Sequence, residues 1–189
     1  MSTQLAEIKK ILAIQSTEAT RLSHRKFVPG REKVYGVAMP VLNELAGKFK
    51  AGGFELCEEL WKAGSLEEKV LAVKLLGKVA KKDPDRSLRL IRIFAKNIGN
   101  WAVCDAMGMQ GLKPVLNTHR EEIFRLASQY NQSADPWQRR LSLVLVEWYT
   151  RDPSCHAAIK KLVKALENDP EYYVKKAVMW IRRNLEKGK

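Results

Sequence analysis

Four Asp-Pro dipeptides punctuate this chain, at Asp83-Pro84, Asp135-Pro136, Asp152-Pro153 and Asp169-Pro170. Aspartate suits a helix N-cap because its carboxylate accepts an exposed backbone N–H. Proline suits the first helical position because no N–H is needed there. The pairs therefore predict short helices joined by tight turns. Two capping boxes predict further starts, at Ser65-Leu66-Glu67-Glu68 and Thr118-His119-Arg120-Glu121, where hydroxyl and carboxylate reciprocally satisfy backbone amides. Between these signals apolar residues recur at three- and four-residue spacing. Leu5, Ile8 and Leu12 begin the pattern, Val41, Leu42, Leu45 and Phe49 repeat it, and Phe54, Leu56, Leu60 and Trp61 continue it into Val70, Val73, Leu76, Gly77 and Ala80. No segment shows the strict alternation of a half-buried strand. The expected class is all-α.

Helices of similar length prompt a search for repeats. Aligning Trp137-Gln138-Arg139-Arg140 with Tyr173-Val174-Lys175-Lys176 sets the two basic doublets thirty-six residues apart. Thirty-five residues before Arg140 stands Asp105, and thirty-five before that stands Val70. This period fits two-helix HEAT-like repeats stacked into a curved α-solenoid, a single domain over 1–189. Asp105, Arg140 and Lys176 would then form one row along its inner face.

That face is expected to be basic. Lys and Arg number 34 against 21 Asp and Glu, a formal charge of +13, which attracts nucleic acid, an anionic membrane surface or an acidic protein. A generally basic soluble protein is equally compatible with composition alone. Hydrophobic residues make up 46 % of the chain, too many for a disordered polypeptide. The longest strongly apolar run, Leu141 to Val146, falls far short of the roughly 20 residues a membrane span needs. Met1 to Lys10 carries charges where a signal peptide is apolar. Cys57, Cys104 and Cys155 are odd in number, form no CxxC pair and do not cluster with His24, His119 or His156, so reduced thiols and no metal site are expected. Together these features predict a soluble cytoplasmic protein.

Three segments carry candidate chemistry. In Asn100-Trp101-Ala102-Val103-Cys104-Asp105 the tryptophan and the aspartate lie one helical turn apart on one face. A carboxylate beside an indole can stabilise a cation through Coulomb attraction and through the π-face. A core tryptophan with an unrelated aspartate nearby is the bland alternative. Arg140 carries a planar fork suited to phosphate, or else is a solvated surface arginine. Trp180, taken alone, reads as core. Basic residues also gather at His24, Arg25, Lys26, Arg31 and Lys33, and at Arg182, Arg183, Lys187 and Lys189, as phosphate contacts or as solvated surface. No Gly-rich phosphate loop, GxSxG or HExxH motif occurs, which argues against a nucleotide hydrolase or metalloenzyme.

Together these pieces resemble the DNA alkylation repair family, the HEAT-like-repeat alkylpurine DNA glycosylases of the AlkD type. The resemblance runs from about Val34 to Lys187. Its carriers are Tyr35-Gly36-Val37-x-x-Pro40, Glu59-Leu60-Trp61, Trp101-x-x-x-Asp105, Trp137-x-x-Arg140 and Lys176-Ala177-x-x-Trp180. It implies a monofunctional glycosylase, without metal or other cofactor, that releases N3- and N7-alkylated purines from double-stranded DNA without flipping the base into a deep pocket. It assigns Asp105 as the catalytic carboxylate, with Trp101 and Trp180 packing on the lesion nucleotide. Arg140, and with it Arg139, Lys175, Lys176 and Trp137, would contact DNA. The expected enzyme is a monomer. Asn100 departs from the pattern where a second aromatic residue can precede Trp101, Met179 precedes Trp180, and the chain stops soon after Trp180, where relatives generally continue. Two other readings compete: a non-catalytic solenoid binding bent, branched or damaged DNA, and a scaffold holding a partner peptide.

Overall fold

The computed structural model describes residues 2–28, 30 and 32–187, so Arg31 and Lys189 of the expected basic clusters lie outside the described residues. Among the described residues there are eleven α-helices and no strand. They are α1 (Thr3–Ile14), α2 (Glu18–Arg25), α3 (Met39–Lys48), α4 (Gly53–Ala63), α5 (Leu66–Val79), α6 (Pro84–Phe94), α7 (Trp101–Ala106), α8 (Arg120–Asn131), α9 (Pro136–Leu145), α10 (His156–Ala165) and α11 (Tyr172–Glu186). A π-helical segment, Met107–Gly111, prolongs α7.

The helices stack as a solenoid of two rows. In the front row α3 packs on α5, α5 on α7, α7 on α9 and α9 on α11. In the back row α4 covers α5, α8 covers α9 and α10 covers α11. The core lies between the rows. Helix α5 is nearly all buried, with Leu71, Leu75 and Leu76 almost completely enclosed, each side chain contributing about 1.5–3 kcal/mol by leaving water. Glu59-Leu60-Trp61 lies inside α4, and Trp61 stacks on Phe94 of α6 at 4.3 Å between ring centroids. Cys57, Cys104 and Cys155 are buried free thiols. No described helix is long and apolar enough to cross a membrane.

Local start signals act largely as expected. Ser65 accepts from the Glu68 amide at 3.1 Å while Glu68 accepts from the Ser65 amide at 3.0 Å. Asp83 caps α6 and Asp135 caps α9, each accepting an amide at 2.8 Å, and Asp152 opens the single turn Pro153–Cys155. Two signals are diverted. Thr118 does not cap α8, because its hydroxyl turns back to the Val115 carbonyl and to His119. Asp169-Pro170 starts no helix: α11 begins at Tyr172 behind Glu171, and the Asp169 carboxylate is claimed by Arg139, thirty residues away. Long-range pairing outweighs the local preference there.

Close backbone approach fixes the middle of the front row. A Cβ on Gly77 of α5 would lie 2.4 Å from the Gln110 carbonyl oxygen, and one on Gly108 would lie 2.5 Å from the Val144 side chain. Only glycine lets α5, the π-helical segment and α9 come this near. The extra residue in a π-turn leaves backbone groups out of register, and the Trp148 indole meets one of them by donating to the Met109 carbonyl at 3.1 Å.

The segment before α3 is bound to α5 by Glu67. This fully buried carboxylate accepts the amides of Tyr35, Gly36 and Val37 at 2.9, 2.7 and 3.2 Å. Its Oε1 also lies 3.3 Å from His24 Nδ1 at the end of α2. Gly36 has a φ of 89°, which glycine adopts without strain. This clamp sets the turn after α2, and with it Phe27, beside the first residue of α7.

Candidate active site

Helix α7 begins because Asn100 is a good cap. Its extended backbone lets Oδ1 accept the Val103 amide at 3.1 Å, while Nδ2 reaches Glu32 at 3.4 Å. The residue is fully buried, so a large aromatic side chain would forfeit both bonds. The departure noted at this position is therefore structural: Asn100 sets the phase of the helix that follows.

From that start Trp101 and Asp105 emerge on the same face. They line a groove of about 600 Å³ together with Phe27, Lys26, Met39 and Lys74. Trp101 is one of the few large apolar side chains left exposed, at 36 %, and its ring lies 4.7 Å from Phe27 at a tilt of 48°. The groove thus has an aromatic corner, built from α7 and the turn after α2.

Arg140 of α9 holds the carboxylate from behind. Its Nε and Nη2 donate to the two Asp105 oxygens at 3.0 and 2.8 Å, and its Nη1 donates to the Tyr173 carbonyl at 2.6 Å. The guanidinium is buried and engaged within the protein on all three nitrogens, where the sequence reading expects a DNA contact. A carboxylate has about four lone-pair sites; Arg140 takes two, which leaves acceptor capacity toward the groove. Burial pushes the Asp105 carboxyl above its ordinary 3.8, with Arg140 working in the opposite direction. The group sits in a site whose burial disfavours its charge, and Arg140 offsets only part of that effect. The neighbouring Cys104 thiol is also pushed up by burial, leaving no reactive thiolate beside it.

The other expected residues are placed differently. Arg139 donates from Nε and Nη2 to Asp169 at 2.6 and 3.3 Å, and from Nη1 to the carbonyls of Ser133 and Ala134; it ties the turn before α9 to the turn before α11. Trp137 stacks on Tyr173 at 5.2 Å. Lys175 and Lys176 are exposed on α11, and Lys176 lies over the Tyr172 ring at 5.3 Å. Trp180 is half-buried against the core and does not line the groove that holds Asp105. In the basic clusters, His24 faces Glu67, Arg25 donates to the Glu32 carbonyl, Lys33 to the Tyr35 hydroxyl and Arg182 to Glu167. Lys26 is exposed and lines the groove.

Several groove residues escape the sequence reading. Phe27 stands among basic residues that obscure it. Lys74 and Met109 each stand four positions beyond a member of the thirty-five-residue row, after Val70 and Asp105 respectively, so the repeat itself was the signal that could have found them. Among the described residues no group of three or more His, Cys, Asp or Glu side chains is arranged to hold a metal ion.

A protein-family model described as DNA alkylation repair enzyme matches residues 8–188. No match is found among curated proteins.

Proposed function

Because the chain belongs to the DNA alkylation repair enzyme family over residues 8–188, we propose that its repair chemistry is hydrolysis of the N-glycosidic bond of N3- and N7-alkylated purines in double-stranded DNA. Alkylation at either nitrogen leaves the purine cationic and therefore a good leaving group. The C1′–N bond breaks with its electron pair passing to the purine, and positive charge develops on the sugar. Water then adds to C1′ and releases its proton to solvent. The products are a free base and an abasic site.

In this reading Asp105 faces the sugar and stabilises the developing charge more than the ground state. Arg140 fixes both carboxylate oxygens, so little reorientation is needed as the charge appears. The exposed indole of Trp101 adds its π-face to the same cation. A preorganised electrostatic group of this kind is worth about 3–4 kcal/mol, a few hundredfold in rate. The net positive charge of the chain favours approach of the polyanion.

The observation that carries the proposal is the pairing of Trp101 with an Arg140-held Asp105 on one groove wall. The decisive test is base release from methylated duplex DNA under single-turnover conditions. Wild type should free 3-methyladenine or 7-methylguanine, and Asp105→Asn should be strongly impaired. Equal release by the two proteins would sink the assignment. The ion pair also favours a second reading, in which Asp105 is only structural and the groove binds damaged DNA without cutting it. Steeply salt-dependent binding with no base release would select that reading.

A further inference from the structure

Beyond Asp105 the groove wall continues through Met39, Lys74, Met109 and Gln110 into a second cavity of about 740 Å³. Its lining includes Lys74, Lys78 and Lys113, with Asn43, Gln110 and Trp148, and contains no acidic residue. Lys74 is the unusual member. Its side chain is only 7 % exposed, yet its ammonium meets no carboxylate among the described residues. It donates instead to two neutral amide oxygens, Asn43 Oδ1 at 2.6 Å and Gln110 Oε1 at 2.8 Å. An ammonium has three donors, so one remains for an occupant of the cavity. Charges are rarely buried without an opposite charge nearby, and Lys78 and Lys113 only add to the positive field.

The construction around Lys74 is specific. Gly77 permits the π-helical segment to approach α5, which brings Gln110 to the ammonium. Trp148 anchors that segment by its bond to the Met109 carbonyl, and Lys113 lies 4.3 Å over the Trp148 ring. Two exposed lysines are thus arranged around one buried, desolvated lysine. Burial depresses the Lys74 pKa, assisted by Lys78, and an anion in the cavity would reverse that effect.

We propose that this cavity is a phosphate subsite, in which Lys74, Lys78 and Lys113 hold one backbone phosphodiester of the strand whose damaged nucleotide lies over Asp105. The proposal rests on reading the groove as a DNA site. It favours a strand phosphate over a free one because the cavity is continuous with the Asp105 groove. Lys74 is a positioning residue here, acting through the strand rather than on the reacting atoms.

Neutral methylphosphonate linkages, placed one at a time on either side of the lesion, test it by equilibrium binding. Wild type should lose about tenfold in affinity at one position, the loss expected when a charged hydrogen-bonded contact is removed. Lys74→Met should bind the native and the neutral linkage at that position alike. The exposed pair Lys78→Ala/Lys113→Ala leaves the core untouched, and should both flatten the same position and lower the salt slope by roughly 0.9 per lost phosphate contact. An unchanged methylphosphonate profile in both variants overturns the subsite. So does Trp148 fluorescence that responds saturably to inorganic phosphate while remaining indifferent to the linkage series, since the cavity would then serve a free anion. A wild type that binds no DNA at all would instead overturn the glycosylase reading.

Discussion

Arg139 and Arg140 are chain neighbours on α9, and each is joined to an aspartate through two nitrogens of its guanidinium. The two pairs have opposite characters. Asp169 is covered by the Arg139 side chain, leaving its own side chain 4 % exposed, and also accepts the Glu171 amide at 2.9 Å. Burial acts to raise its pKa, but the Arg139 and Glu171 hydrogen bonds outweigh it and hold the group below 3.8. Asp105 sits on the groove wall with fewer donors, and burial wins, leaving its pKa raised. Asp169 is a carboxylate whose charge the fold has satisfied. Asp105 is one whose charge the fold tolerates and leaves facing an open cavity. Groups of the second kind cluster at functional sites.

The largest expected effect separates the two carboxylates directly. Asp105→Asn should slow single-turnover base release a few hundredfold, corresponding to about 3–4 kcal/mol of barrier. Asp169→Asn should leave that rate within about twofold, since its lost bonds affect only the fold. If both variants lose activity alike, the contrast between the pairs is spurious.

A smaller effect appears in pH dependence. In the proposed role Asp105 acts as its carboxylate, so its raised pKa predicts that activity falls on acidification with a midpoint above 3.8. The stability sign is opposite to that of an ordinary surface carboxylate. A group with a raised folded pKa contributes stability below its unfolded pKa and loses it as pH rises through the folded one. Arg140→Gln removes the opposing influence, so the midpoint of the pH–rate profile should move higher still; a midpoint that stays fixed or falls would contradict the electrostatic account.

Asp169 should titrate the other way. Its contribution is present above the unfolded pKa and is lost as pH falls through the depressed one. Arg139→Ala should therefore cost about 1–3 kcal/mol at neutral pH, because it leaves a largely covered carboxylate without its main partner. Denaturant unfolding should find that cost shrinking below pH 3.8. A penalty independent of pH would mean that Arg139 acts through packing alone.

These pairs also mark how far the sequence could be read. Ser65, Asp83 and Asp135 act through atoms two or three residues away, and the all-α class and the starts of α5, α6 and α9 follow from such local bonds. The thirty-five-residue period brings Asp105 and Arg140 together because stacked repeats align equivalent positions. What fails is whatever a distant residue decides. Asp169 looks like a cap until Arg139 takes its carboxylate, and Thr118 yields to the Val115 carbonyl. Arg140 reads as a DNA contact, and the structure adds what its sequence does not announce, that its guanidinium is engaged on Asp105 and Tyr173. Lys74 is invisible as a buried cation because nothing in α5 announces that Gln110 will reach it. That reach depends on a π-turn, which breaks the helical period on which the reading relied.

The π-helical segment has one more consequence. Each residue of an α-helix advances the direction of the next by about 100°, so the additional member in Met107–Gly111 works as a gear tooth between the two ends of the groove. Removing one residue there would re-phase Lys113 against Trp101 and Asp105 without altering any of the three. On the proposals above, a single deletion there would test whether phosphate contact and base release depend on the relative phase of the two ends of the groove.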